Sequence, residues 1–169
     1  DGRRSLHWPS LFPKKISPSA LAANQREHVV PQHARHASLY GGPGMTLPAG
    51  WEGQDHNFLG IDEPWCHPDQ AGVYVLPAPY EHTSSYILGS DRGPSAILEA
   101  SAQVEFYDEQ LGCEPFREWG GIATATMLDL QGRVDGQAVD AIQSFVAPHV
   151  GTGRFLVTLT GEHTGALGA

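Results

Sequence analysis

The 169-residue sequence has only two cysteines, and Cys66 and Cys113 lie far apart without a CxxC or other metal-binding spacing. That excludes a disulfide framework and a cysteine-based zinc module, and it predicts reduced thiols in a cytoplasmic protein. Long apolar runs are also missing. No stretch approaches the ~20 residues of a membrane span, and the amino terminus carries charges and prolines where a secretory signal would carry an apolar core. No membrane association is expected. Positive charge is scarce: 10 Lys and Arg stand against 19 Asp and Glu, for a net charge of −9. An acidic surface repels phosphates, and the basic pairs Arg3-Arg4 and Lys14-Lys15 do not make a patch, so nucleic acid is not an expected partner. The chain opens on Asp1 rather than methionine, and an incomplete upstream end is expected.

What is present suffices for one domain with a modest core, since apolar residues make up 40% of the chain. Residues 1–56 are rich in proline, glycine and histidine with little periodicity, from Pro9 to Pro48. They read as an irregular amino-terminal extension. A short helix is expected from Pro18 to His28, with Ser17 as its cap and Pro18 in its first turn. His28, His33 and His36 have a spacing that suggests a zinc cluster. Without a cysteine or carboxylate partner at fixed spacing, a solvated tail is the preferred reading.

From Asn57 the sequence alternates between strand and helix patterns. Gly72–Pro79 is a short apolar run closed by prolines, as a buried parallel strand requires. A polar loop follows over residues 80–92. Gly93-Pro94 opens a helix whose apolar positions Ile97, Leu98, Val104 and Tyr107 carry it to about Glu109, leaving Asp108 and Glu109 as a solvated helix end. Gly120–Leu130 is a second strand, more dilute in apolar residues. Val134–Val150 repeats the helical period, with Pro148 disturbing its last turn. Phe155–Thr160 is a third strand. The order β, α, β, α, β predicts a parallel sheet with right-handed crossovers and helices on its faces. Three strands rarely suffice for such a sheet, so further strands are expected beyond Ala169.

The third strand delivers His163 to a glycine-flanked end, where open α/β sheets place their chemistry. On position alone, His163 can be a metal ligand or a hydrogen-bonded structural histidine. Glu162 can be a carboxylate that orients a ligand or a surface group. His82 and Tyr86 lie on the loop after the first strand, at the mouth of any pocket, either touching substrate or carried idly. Gly89, Gly93 and Pro94 read as shaping the turn into the helix.

Several segments occur in a telling order: Asn57-Phe-Leu-Gly60, Val75-Leu-Pro-Ala-Pro-Tyr-Glu81, Thr83-Ser-Ser-Tyr86, Gly93-Pro-Ser-Ala-Ile-Leu-Glu-Ala-Ser101, Val104-Glu-Phe-Tyr-Asp-Glu109 and Gly161-Glu-His-Thr164. This succession resembles the amino-terminal half of the arginase/agmatinase (ureohydrolase) family, its bacterial agmatinase-like branch in particular, over residues 57–169. The resemblance implies a three-layer α/β/α sandwich around a parallel sheet, present here only in part and cut after the third recognisable strand. It implies two Mn2+ ions at the carboxyl ends of central strands, with His163 as one ligand and Glu162 as a candidate orienting neighbour. The family's Gly-Gly-Asp-His-Ser segment reads Thr160-Gly-Glu-His-Thr164 here, with threonine for the first glycine and glutamate for aspartate. The remaining family ligands belong to Asp-Ala-His-x-Asp and Asp-x-Asp segments, neither of which this sequence contains.

A guanidinium carbon is a poor electrophile. In the family, two bridged ions lower the pKa of a shared water and stabilise the tetrahedral intermediate, and one histidine cannot hold two such ions. The resemblance therefore implies an intact hydrolase that converts a small guanidino compound, agmatine foremost, to urea and an amine such as putrescine, in polyamine biosynthesis. It also implies a homo-oligomer, trimer or hexamer. The chain by itself is expected to be an inactive portion. The competing expectation is a non-catalytic ureohydrolase-like binding or assembly module from a truncated reading frame. The resemblance assigns no catalytic side chain to these residues and leaves the substrate-binding groups unknown.

Overall fold

The structure is a computed structural model, and it describes residues 46–169. The expected helix from Pro18 to His28 and the histidines His28, His33 and His36 lie outside the described residues. Within them the order is β1 (Val73–Ala78), α1 (Gly93–Ser101), α2 (Pro115–Glu118), β2 (Ile122–Thr124), α3 (Asp135–Val146) and β3 (Phe155–Thr160), with a 3-10 turn at His163–Leu167. The sheet has the order β2-β1-β3 and both pairings are parallel. This is the parallel α/β arrangement that the alternating pattern predicts.

Period-two alternation along β1 sends Tyr74, Leu76 and Ala78 to one face. There they join Ala138, Ile142 and Val146 of α3 in one buried cluster. Those three recur at i, i+4 and i+8, so they form a single helix stripe. Full burial of Ile142 contributes about 2 kcal/mol. A smaller cluster gathers Ile61, Cys66 and Phe116, with Ile122 of β2 packed against it. Both cysteines are free thiols. Burial, helped by the charge of Glu63, pushes the Cys66 thiol up and keeps it protonated and inert. No helix among the described residues is long and apolar enough to cross a membrane.

Three elements differ from the sequence pattern. The helix opened by Gly93-Pro94 stops at Ser101 instead of continuing to Glu109. The Ser101 hydroxyl donates to the Leu98 carbonyl at 2.7 Å and accepts the Leu59 amide at 2.8 Å, which ties the last turn to the Phe58–Gly60 turn. Beyond it Val104 and Tyr107 are exposed, so their helical spacing marks no buried face. Asp108 is not a helix end: its Oδ1 accepts the amides of Gln110 and Leu111, and its backbone pairs with Cys113. The second strand is also shorter than Gly120–Leu130. Gly120 and Gly121 have φ of 78° and 116°, outside the strand region. After Thr124 the chain pairs at Ala125 with Trp51, in the antiparallel sense. Finally, α3 begins at Asp135 and ends at Val146, and Pro148 sits in the 3-10 turn that follows it, Ala147–His149.

Candidate functional site

β1 and β3 finish level, with Ala78 opposite Thr160. The loop of residues 79–89 therefore leaves β1 directly beside Gly161, Glu162 and His163. Gly161 is where the two chain segments touch backbone to backbone. A Cβ there would lie 2.5 Å from the Tyr80 carbonyl oxygen and 2.7 Å from that of Ser90. Only glycine fits this contact without moving main chain.

Glu162 then turns its carboxylate onto the loop from β1. Its Oε2 accepts the amides of Thr83 at 3.0 Å and His82 at 3.3 Å, and its Oε1 accepts the Thr83 hydroxyl at 2.9 Å. The Ser84 hydroxyl is 3.4 Å from Oε2. Burial acts to raise this carboxyl, but the Thr83 hydroxyl and amide and the His82 amide outweigh it and hold Glu162 below the usual carboxylate range. A second carboxylate closes the other end of the loop. Glu81 Oε2 accepts the Gly89 amide at 2.6 Å. That amide, with the Ser84 hydroxyl next in weight, holds Glu81 low as well. Gly89 has φ of 112°, which favours glycine, and it leads into the short turn Ser90–Arg92 before α1.

Tyr80, buried beneath the loop, accepts the Asp135 amide at 2.9 Å with its hydroxyl and so satisfies a donor at the start of α3. His82 Nε2 is 3.9 Å from Asp135 Oδ1, across an exposed pair. At the crest of the loop Tyr86, Ile87 and Leu88 are 93%, 71% and 73% exposed.

His163 is the first residue of the 3-10 turn after β3, and it is exposed. The structure brings His163, Glu162 and the loop carrying His82 and Tyr86 together at the carboxyl ends of β1 and β3. Glu162 faces the loop. Gly89 precedes the short turn that leads into α1, whereas Pro94 is the second residue of α1 and is buried. Glu81 and Thr83 escaped sequence reasoning. Their only signal was a carboxylate and a run of small hydroxyl residues directly after a buried strand.

Residues 71–169, which contain all of these groups, match the arginase family. The chain belongs to the arginase family. Over 96 residues it is 43% identical to the N(1)-aminopropylagmatine ureohydrolase of Synechocystis sp., an overlap that covers 55% of this chain and 31% of that protein. It is 34% identical to a Thermus thermophilus protein of the same name, covering 57% of this chain and 32% of that one. The chain thus spans about a third of the length of the curated relatives it matches. Arginase-family enzymes are generally manganese-dependent. Among the described residues no group of three or more His, Cys, Asp or Glu side chains is placed to hold a metal ion. His163 offers one imidazole, and these residues alone do not fit a two-ion site.

Proposed function

We propose that this chain is the amino-terminal part of a ureohydrolase that acts on a linear guanidino compound, and that His163 contributes one ligand to its manganese site. The supporting observation is the position of His163, which leaves the carboxyl end of a parallel strand inside the stretch matched by the arginase family. Hydrolysis adds water across the bond between the guanidinium carbon and the substituted nitrogen, releasing urea and leaving a free amine. Agmatine would give putrescine. The names of the Synechocystis and Thermus relatives support an agmatine that carries an aminopropyl group. Such a reaction belongs to polyamine biosynthesis, and we place it in the cytoplasm, in an oligomer of three or six copies.

The contribution of these residues is to hold the strand end and the loop beside His163 together. Gly161 brings β3 against the loop from β1, and Glu162 and Glu81 fix that loop at both ends. No step of the reaction is assigned to the chain alone, which is expected to release no urea.

Two measurements test this reading. In the full-length enzyme, His163→Asn should lower the content of bound Mn2+, and an unchanged content would refute the ligand assignment. Urea release from agmatine or N(1)-aminopropylagmatine by the chain with Mn2+ would refute its inactivity, whereas binding of either compound by a protein that never releases urea would favour the non-catalytic module.

A further inference from the structure

We propose that Glu162 is a positioning residue, which locks the segment His82–Ser84 onto the end of β3 so that the rim of the candidate pocket and the backbone carrying His163 are held as one body. Its bearing on substrate rests on the function proposed above, but the lock itself rests on geometry alone. A surface carboxylate ordinarily keeps its lone pairs in water. This one places both oxygens on donors from a single loop: the amides of His82 and Thr83 and the hydroxyls of Thr83 and Ser84. The residues joined are about eighty apart in sequence, so nothing local produces the contact.

On one side of Glu162 stands Gly161, where a Cβ would meet the Tyr80 and Ser90 carbonyl oxygens. On the other side stands His163. Movement of the loop is thereby transmitted to the residue next to His163. The same lock holds out the exposed crest Tyr86-Ile87-Leu88, which follows Ser84 by two residues. A guanidino substrate reaching His163 would pass a rim already formed.

Reach and charge are separable. Glu162→Gln keeps the length of the side chain and an oxygen able to accept from Thr83. Glu162→Asp keeps the charge but is one methylene shorter. Hydrogen exchange of single amides reads the difference. Glu162→Ala and Glu162→Asp should each accelerate exchange at His82 and Thr83 by about tenfold or more, and Glu162→Gln should restore most of the protection. The Phe155 amide, bonded to Gly72 at the far end of β3, should stay unchanged. Unchanged exchange at His82 and Thr83 in Glu162→Ala overturns the proposal. So does full protection in Glu162→Asp, which would make charge rather than reach the cause.

If Glu162→Ala loosens Phe155 as well, Thr83→Val decides from the other side of the contact. Faster exchange at His82 then supports the lock, and an unchanged rate overturns it. Failure of His163 to bind Mn2+ would remove the functional reading and leave these outcomes as they are.

Discussion

Thr83 reaches both oxygens of Glu162, its amide one at 3.0 Å and its hydroxyl the other at 2.9 Å. The pair joins the first strand's loop to the end of the third strand, across 79 residues of chain.

Gly161→Ala should destabilise the domain by about 1–3 kcal/mol. The added methyl would meet the carbonyl oxygens of Tyr80 and Ser90, and main-chain atoms cannot rotate away as a side chain can. Chemical denaturation would show the loss as a lower midpoint with an unchanged slope. A midpoint equal to wild type would mean that the two segments do not touch.

Protonating Glu81 should free the far end of the loop. Its carboxyl is held low by the Gly89 amide and then the Ser84 hydroxyl, so the folded form binds the proton less readily than the unfolded chain. The stabilisation is therefore complete above the ordinary carboxylate value of about 4.3 and declines as pH falls through the lower, folded value. The Gly89 amide shift followed between neutral and acid pH should report the transition, and Glu81→Gln should erase it.

Tyr80→Phe should cost about 1 kcal/mol. It strips the Asp135 amide of its acceptor at the start of α3 while keeping the ring volume. Because Phe retains the packing, thermal unfolding should shift by only a few degrees. A shift as large as that of a core truncation would show that more than one hydrogen bond was lost.

His149 should stay neutral to a lower pH than a free imidazole. Burial depresses it first and the Arg154 charge second, beside the rings of Trp51 and Tyr74 that it meets edge-on. The unfolded chain takes up the proton more readily, so stability present above about pH 6.5 is lost as pH drops through that value toward the folded one. Arg154→Gln should raise the His149 midpoint in an NMR titration but leave it below the free value, since burial remains.

Much of this was legible in the sequence where a pattern and its packing coincide. Val73–Ala78 is an apolar run between Gly72 and Pro79, Phe155–Thr160 is a largely apolar run that ends at Gly161, and both are strands at nearly those bounds. Residues 93–109 show where pattern and packing part. Val104 and Tyr107 keep the helical period, but Ser101 engages the Phe58–Gly60 turn and the helix ends there. The position of His163 at a strand end could be read from the pattern of apolar residues before it. The partners of Glu162 could not, because His82 and Thr83 become its neighbours only once β3 lies beside β1. Glu81 holding Gly89 is local in sequence, yet no propensity distinguishes it from any other loop carboxylate.

The strand order also dictates a sequence of events. β1 lies at the centre, and its neighbour β3 is made after β2 and α3, so the loop behind β1 is synthesised long before the surface that will hold it. Pairing across such a separation is slow, because the ends must meet before any contact repays the loss of chain freedom. The rim around Thr83 can therefore close only after β3 has been made, when Glu162 arrives with the end of that strand.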